Sequence, residues 1–169
     1  MGVVYTDNLE KARIYGIEAS AEFRFANYWS LRGGLAWTVG KDRENDTHLN
    51  SVAPLKGYLG LGYEREQWGA DVHLNLVAKR NKVRYKTATS DAPYPDFKAP
   101  GYGTVDLGAY WEPDFAKGLR IQANLINVFD KKYWNALNVP TQGTSPLSRD
   151  IDYYSARGRY GMLSLSYQF

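Results

Sequence analysis

Apolar and polar residues alternate one by one in about seven stretches of this chain. The first runs from Tyr15 to Phe25, where odd positions are apolar and Glu18 and Glu22 lie between them. Similar stretches lie at about 31–39, 55–64, 70–76, 104–111, 119–125 and 162–169. Because successive side chains of a strand point to opposite faces of the sheet, each stretch predicts a two-faced strand. No stretch has a helical period, so the pattern predicts an all-β fold.

The predicted strands are long, at roughly 10–14 residues, whereas strands of soluble proteins have about 5–6. A strand that crosses a bilayer needs about 9–11 residues. Short and long connections alternate along the chain. The short ones lie at 26–28, 65–67 and 113–117, and the long ones at about 41–53, 80–101 and 130–156. Short turns at one edge and long loops at the other are typical of outer-membrane barrels. The chain is therefore predicted to be an antiparallel transmembrane β-barrel segment of about seven strands rather than a soluble sandwich.

The polar positions of these strands include charges that lipid disfavours, since a basic residue at the bilayer midplane costs about 2–4 kcal/mol. They are expected to face a watery interior: Glu18, Glu22, Arg24, Arg32, Lys56, Asp71, Asp106, Arg120 and Gln122. His73 alternates with them, and we expect it to hydrogen-bond across strands. Aromatic residues beside the short turns predict one interfacial girdle. These are Phe25, Tyr28, Trp29, Tyr63, Trp68, Trp111, Tyr167 and Phe169.

An odd number of strands predicts that the chain does not close alone. Single-chain bacterial barrels usually have an even number, and an open edge leaves backbone groups unpaired in lipid. We therefore expect an incomplete wall. The alternative is that residues 1–12 supply an eighth strand and the chain closes by itself.

Composition excludes several classes of protein. The 169 residues carry 21 basic and 18 acidic side chains, a net charge of +3 that argues against a nucleic-acid-binding protein. Without cysteine, thiolate metal sites and cysteine nucleophiles are excluded, and no serine has a nucleophile motif, so no enzyme is predicted. Met1 is not followed by an export signal. The chain is then either cytoplasmic or a piece of a protein whose signal lies upstream.

The most specific motifs lie near the end of the chain. Residues 127–133 read Asn-Val-Phe-Asp-Lys-Lys-Tyr, and the chain ends Tyr167-Gln168-Phe169. Together with Lys-Ala-Arg-Ile-Tyr-Gly-Ile-Glu at 11–18, they resemble the C-terminal end of TonB-dependent outer-membrane receptors. The resemblance covers essentially all of residues 1–169. It implies the C-terminal part of a receptor barrel in the bacterial outer membrane, without the plug domain and earlier strands of a full receptor.

Three further segments, 49–54, 133–135 and 152–159, resemble the haem, haemoglobin and haemophore branch of that family. The resemblance implies TonB-dependent uptake of haem, or of haem from a carrier protein, with haem as cargo and no cofactor assigned to this segment. A ferric-siderophore receptor segment is one alternative, and a self-contained small barrel with an adhesin or structural role is another.

The resemblance also implies several partners. A full receptor meets the TonB complex through its plug, which this chain lacks. The alternating C-terminal strand resembles the signal that the barrel-assembly machinery recognises. Outer-membrane lipid and lipopolysaccharide are the remaining partners, and no nucleic acid is expected.

Candidate ligand-binding residues lie in the long loops: His48, Arg80, Lys82, Arg84, Tyr133 and Trp134. Imidazole is a common axial ligand of haem iron, which singles out His48. The basic run 79–86 could contact haem propionates, siderophore carboxylates or lipopolysaccharide phosphates, or it could be a solvated loop.

Asn127 and Asp130 are predicted to satisfy backbone groups of a turn, and Phe129 is predicted to pack at the outer interface. This turn either supports the following loop or simply ends a strand. Tyr167 and Phe169 are expected to serve both the girdle and the C-terminal signal.

Overall fold

The computed structural model describes residues 12–169, which form β-strands and one short 3₁₀ helix, Ile151–Tyr154. The strands are β1 (Ala12–Phe25), β2 (Trp29–Asp42), β3 (Thr47–His48), β4 (Lys56–Glu64), β5 (Trp68–Val77), β6 (Tyr102–Trp111), β7 (Leu119–Ile126) and β8 (Tyr160–Tyr167). The predicted all-β antiparallel fold is confirmed. The sequence pattern missed β3, because two residues are too few to show an alternation.

Three strands are shorter than predicted: β4 has 9 residues, and β7 and β8 have 8 each. The reason is clearest for β7, which is bounded by two residues with positive φ. These are Gly118, at +88°, and Asn127, at +53°. A left-handed backbone cannot continue a β-ladder, so the strand is confined to the eight residues between them.

Each long strand pairs with the next along the chain, in the order β1-β2-β4-β5-β6-β7-β8, and β3 pairs with β2. Residues directly opposite each other in an antiparallel pair share a face. Leu59 lies opposite Leu74, and Ile121 lies opposite Leu165, on what we call the apolar face. The other side, the polar face, pairs Glu22 with Arg32 and His73 with Asp106. The register therefore places the apolar positions of all the long strands on one side.

Large side chains on the apolar face are open to their surroundings. Ile17 is 67% exposed and Leu163 is 71% exposed. A continuous exposed apolar surface on this scale marks a membrane or partner contact. The sheet is thus built to have its apolar face covered by something other than this chain's described residues.

The sheet is open within residues 12–169. β1 and β8 lie at its two ends and do not pair with each other. Ala12 is the first residue of β1, whereas the alternative of an extra strand from residues 1–12 falls mainly on residues 1–11, outside the described part. An unpaired strand edge carries free N–H and C=O groups that lipid cannot satisfy.

Aromatic rings form a chain of contacts at the short-turn edge. The Trp29 ring lies 4.9 Å from the Tyr63 ring, and Tyr63 lies 5.2 Å from Trp68, measured between centroids. Trp68 is directly opposite Trp111 on β6. This arrangement corresponds to the interfacial girdle that the sequence predicts.

The buried alanine and valine side chains of the described residues lie in the long connections and not in the sheet. They are Val83, Ala92, Ala99, Ala136 and Val139, with exposures of 0–6%. A one-layer sheet has no second layer to pack against. The close packing of this chain is therefore concentrated at one edge.

Candidate functional site: the long-loop edge

Three long connections meet at the edge opposite the short turns. We call them loop A (43–55), loop B (78–101) and loop C (127–159), and together the loop layer. Loops B and C are joined by a two-way backbone bridge, in which the Tyr94 and Gly143 amides each donate to the other's carbonyl at 3.0 and 2.8 Å. Loops B and C are therefore joined to each other by their backbones.

Two polar residues, Asn50 of loop A and Asp96 of loop B, connect all three loops. The Asn50 side-chain amide donates to Asp96 Oδ2 at 2.6 Å and to Thr141 Oγ1 of loop C at 3.3 Å. Asp96, 4% exposed, also accepts from the Gln142 backbone amide at 2.7 Å. The sequence analysis did not select either residue. Asn50 lies in the 49–54 motif, whereas Asp96, between Pro95 and Phe97, carries no signal in the sequence.

Arg80 is a buried structural residue in this layer, at 7% exposure. Its guanidinium donates to the carbonyls of Ala136 at 2.7 Å, Phe97 at 3.2 Å and Asn50 at 3.3 Å. Burial lowers the pKa of Arg80 and nearby Asp96 opposes this effect. The sequence placed Arg80 in an exposed basic run, and the structure corrects this, because its hydrogen-bonding groups serve the carbonyls of three loops.

Lys82 and Arg84 differ from Arg80 in their exposure. Lys82 is exposed. Arg84 is half-buried; its guanidinium carbon lies 5.3 Å from the centre of the Tyr85 ring, and its backbone amide donates to Asn50 Oδ1 at 2.9 Å. Of the three predicted basic contacts, Lys82 is the one fully available to a ligand.

His48 lines a cavity of about 310 Å³ that lies between β2 and loops A and B. Apolar residues such as Trp37, Leu49 and Val52 share the lining with Lys82. The Nδ1 atom of His48 is buried without a hydrogen-bond partner among the described residues. Burial first, and then the charges of Lys82, Lys86 and Lys41, lower the pKa of His48. Burial and the neighbouring cations thus both favour the neutral imidazole, the form that binds metal ions.

Tyr133 and Trp134 pack into the loop layer. The Tyr133 ring lies 4.2 Å from the Tyr102 ring, and Trp134 lies 5.9 Å from Phe97. Trp134 Nε1 donates to the Ile151 carbonyl at 2.9 Å. Both residues are half-buried, so they brace loop C against the first residue of β6 and against loop B.

Asn127 forms the turn that begins loop C, at 1% exposure. Its side chain accepts from the Lys131 amide and donates to the Lys131 carbonyl, both at 2.9 Å. Asp130 accepts from the Arg159 amide at 2.7 Å and so joins the two ends of loop C. Phe129 is 76% exposed. The turn therefore ends β7 and also anchors the loop.

The polar face carries a network of its own between β5, β6 and the start of loop C. Asn75 donates to Asp106 Oδ2 at 2.9 Å, and Asp106 Oδ1 accepts from the Asn127 amide at 2.8 Å. His73 pairs with Asp71 at 3.0 Å on its own strand, which corrects the expectation of a cross-strand partner. The imidazole instead lies across Gly60, where an added Cβ would meet it at 2.8 Å.

The remaining candidates lie at the short-turn end. The Tyr167 and Phe169 rings are 6.0 Å apart, and Tyr167 is the last residue of β8.

Residues 12–169 include no helix long and apolar enough to span a membrane. Within the same range, no group of three or more histidine, aspartate or glutamate side chains is placed to hold a metal ion.

The family model for the TonB-dependent receptor-like β-barrel matches residues 2–128. The chain belongs to this family. It is accordingly an outer-membrane protein, and its apolar face is the lipid-facing surface. The short turns then lie on the periplasmic side and the loop layer on the outer side, as in barrels of this kind.

Two curated relatives have names that refer to haem proteins. A hemoglobin and hemoglobin-haptoglobin-binding protein of Haemophilus ducreyi is 25% identical over 90% of this chain. A heme/hemopexin utilization protein C of Haemophilus influenzae is 29% identical over 88% of it. The chain spans about a fifth of the length of these relatives, at 19% and 20%.

Solved structures of other receptors share the fold. The copper transporter OprC superposes with a TM-score of 0.77 and 26% identity, over 94% of this chain and 24% of that one. A ferric enterobactin receptor of Pseudomonas aeruginosa gives a TM-score of 0.72 and 21% identity, over 96% and 23%. These likenesses confirm the receptor-barrel architecture.

Proposed function

We propose that residues 1–169 are the C-terminal barrel portion of a TonB-dependent receptor that takes up haem, or haem presented by a carrier protein. The observation that carries this proposal is the pair of haem-related relatives, each aligned over about nine-tenths of the chain. The edges of β1 and β8, which are unpaired among the described residues, support a barrel completed by further strands. The role is binding and passage, with no covalent chemistry.

The loop layer is the part of the chain suited to meet the ligand. It lies on the outer side and is held together by Asn50, Arg80 and Asp96, so it presents a fixed surface. A rigid surface loses little conformational entropy on binding, which favours recognition of a folded carrier. Exposed Lys82 and half-buried Arg84 offer cations for haem propionates.

In this proposal, energy reaches the receptor through its plug, which contacts the TonB complex. The C-terminal strand provides the edge that the assembly machinery engages. Backbone pairing at a free edge with alternate side chains for specificity is the physical mode of such recognition. Leu163, Leu165 and Tyr167 supply those alternate side chains on β8.

The test is growth of the source bacterium on a single iron source after deletion of the gene that contains this chain. We expect growth on haemin and on haemoglobin to fail and growth on ferric siderophores to persist. Reintroducing the intact gene should restore growth on haemin and on haemoglobin. Loss of growth on a ferric siderophore alone would overturn the haem assignment. It would favour the second candidate, a siderophore receptor, which the structural likeness to a ferric enterobactin receptor supports.

A further inference from the structure

The cavity beside His48 lies at a gap in the sheet. The ladder between β2 and β4 ends where Ala36 lies opposite Lys56. β2 continues to Asp42, where it pairs with β3 and not with β4. Residues 37–40 of β2 therefore have no partner residue on β4, and loop A passes beside them at a distance from the ladder. The cavity of about 310 Å³ lies in this gap.

Side chains from both faces of β2 line the cavity. Trp37 and Val39 belong to the apolar face, whereas Thr38 and Gly40 alternate with them and belong to the polar face. Loop A packs over the polar face here, because a Cβ added at Gly40 would overlap the Val52 side chain. The cavity is thus set into the wall, and loop A separates it from the barrel interior.

Two residues of the lining each carry a buried polar atom without a partner. Arg80 is 7% exposed; its terminal nitrogens donate to loop carbonyls, but its Nε has no hydrogen-bond partner among the described residues. The same is true of His48 Nδ1. The Arg80 Nε–H is a donor, and a neutral imidazole donates from Nδ1 in one of its two tautomers. Because buried polar atoms are almost always paired, these two indicate a ligand that supplies acceptor oxygens.

The rest of the lining combines apolar side chains with cations. Apolar contacts come from loop A as well as β2, and Lys79 and Lys82, both exposed, also belong to the lining. None of the aspartates and glutamates within residues 12–169 lines the cavity, and Asp96, whose charge acts on Arg80, lies outside the lining. Apolar walls with a few polar groups are typical of small-molecule sites. A ligand that matches this lining has an apolar body and a negative charge.

We propose that the cavity binds a monocarboxylate with an apolar body of about ten carbon atoms, the class that includes medium-chain fatty acids. A cavity of about 150 Å³ holds one benzene molecule, so a cavity of about 310 Å³ has room for about twice as many carbons. The carboxylate accepts hydrogen bonds from Arg80 Nε and His48 Nδ1, and the chain contacts Trp37 and Val52. A phospholipid chain would enter by its methyl end and leave both nitrogens unpaired, which favours a free acid. The proposal is independent of the haem assignment.

The test is calorimetric titration of the complete outer-membrane protein that contains this chain, held in amphipol so that detergent does not compete for the cavity. The probe is decanoate, compared with decan-1-ol, which has the same chain and no charge. We expect decanoate to bind saturably and about tenfold or more tightly than decanol. Ala53→Leu, which fills the cavity from loop A, should weaken decanoate binding by about tenfold or more. The matched control Ala70→Leu, at an exposed position of the apolar face, should leave it unchanged.

His48→Leu tests the polar end of the site. It should weaken decanoate binding by about tenfold and leave decanol binding unchanged, because only the carboxylate loses a donor. His73→Leu, on the polar face of the sheet, is the control and should bind both probes as the unmodified protein does. Each variant must first show the heat-modifiable migration of a folded barrel.

No saturable binding of decanoate by the unmodified protein would show that the cavity holds only water and would overturn the proposal. Equal affinities for decanoate and decanol would overturn it as well, as would equal affinities of Ala53→Leu and Ala70→Leu for decanoate. If Ala53→Leu does not fold, the comparison of His48→Leu with His73→Leu decides, and equal decanoate affinities in these two variants contradict the proposal. Growth on haem reports separately on the transport assignment.

Discussion

Burial decides the role of a charged residue more than its neighbours in the sequence do. Arg80 belongs to a run of basic residues, yet its guanidinium is enclosed and bonded to three carbonyls, one from each loop. Exposed Lys82, two positions later, makes no such bonds among the described residues. A buried guanidinium with several acceptors fixes the backbone around it.

Arg80→Met should therefore loosen the loop layer. Three carbonyls would lose a charged donor in a buried site, and we expect a local loss of about 2–4 kcal/mol. Hydrogen exchange of the amides at 94–99 and 136–143 is the measurement, with faster exchange as the expected result. Lys82→Met is the control and should leave these amides unchanged. Equal exchange in the two variants would show that Arg80 does not hold the loops together.

His48 should make loop A sensitive to acid. Its pKa is lowered in the folded protein, so the unfolded loop binds protons more readily than the folded one. The resulting stability is present above the ordinary pKa of 6.5 and is lost as the pH falls from there toward the lowered value. We expect amide exchange in loop A to accelerate over this window, after correction for the intrinsic rate. His48→Gln should remove the acceleration, while His73→Gln should keep it.

At the scale of elements, the last two strands are held at their periplasmic end by one glycine. Gly118 has a φ of +88°, and its carbonyl accepts from the Gln168 amide at 2.9 Å. An added Cβ would overlap the Gln168 carbonyl oxygen. The turn into β7 thus requires both the left-handed conformation and the absence of a side chain.

Gly118→Ala should displace the end of β8 from β7. The positive φ costs about 1–2 kcal/mol for alanine, and the backbone overlap brings the total to about 2–4 kcal/mol. The measurement is the urea midpoint of the complete protein in detergent. Gly161→Ala, where the nearest atom lies at 3.8 Å, is the control and should shift the midpoint little. A similar midpoint for the two variants would contradict this account.

At the scale of the whole molecule, the open edges govern behaviour outside the complete barrel. Within residues 12–169, β1 and β8 each present an unpaired row of backbone groups. Such edges pair with other chains when no partner strand is supplied.

Residues 1–169 expressed alone and refolded in detergent should consequently associate into oligomers. Light scattering coupled to size-exclusion chromatography measures the mass. The complete protein is the control and should migrate as a single species. A monodisperse, heat-modifiable monomer of the short chain would instead favour the self-contained small barrel.

The sheet was predictable from the sequence because a period of two is a local property. The alternation of apolar and polar residues shows which side chains lie on each face of a strand. The register then follows from matching apolar positions such as Leu107 and Leu125. The loop layer was not predictable to the same degree. Arg80 lies 30 positions after Asn50, and Asp96 lies 46 positions after Asn50. Contacts between polar loop residues so far apart produce no periodic pattern in the sequence. The role of Asn127 was easier to anticipate, since asparagine readily adopts positive φ at turns.

The placement of the buried side chains at the outer edge has a consequence for engineering. In most proteins a binding loop can be exchanged while the scaffold beneath stays intact. Here Asn50 of loop A, Asp96 of loop B and Thr141 of loop C share one set of hydrogen bonds. Replacing any one loop with that of a relative would leave the polar groups of the other two loops without their hydrogen-bond partners. To change ligand specificity, loops A, B and C should therefore be replaced together, all three from the same relative.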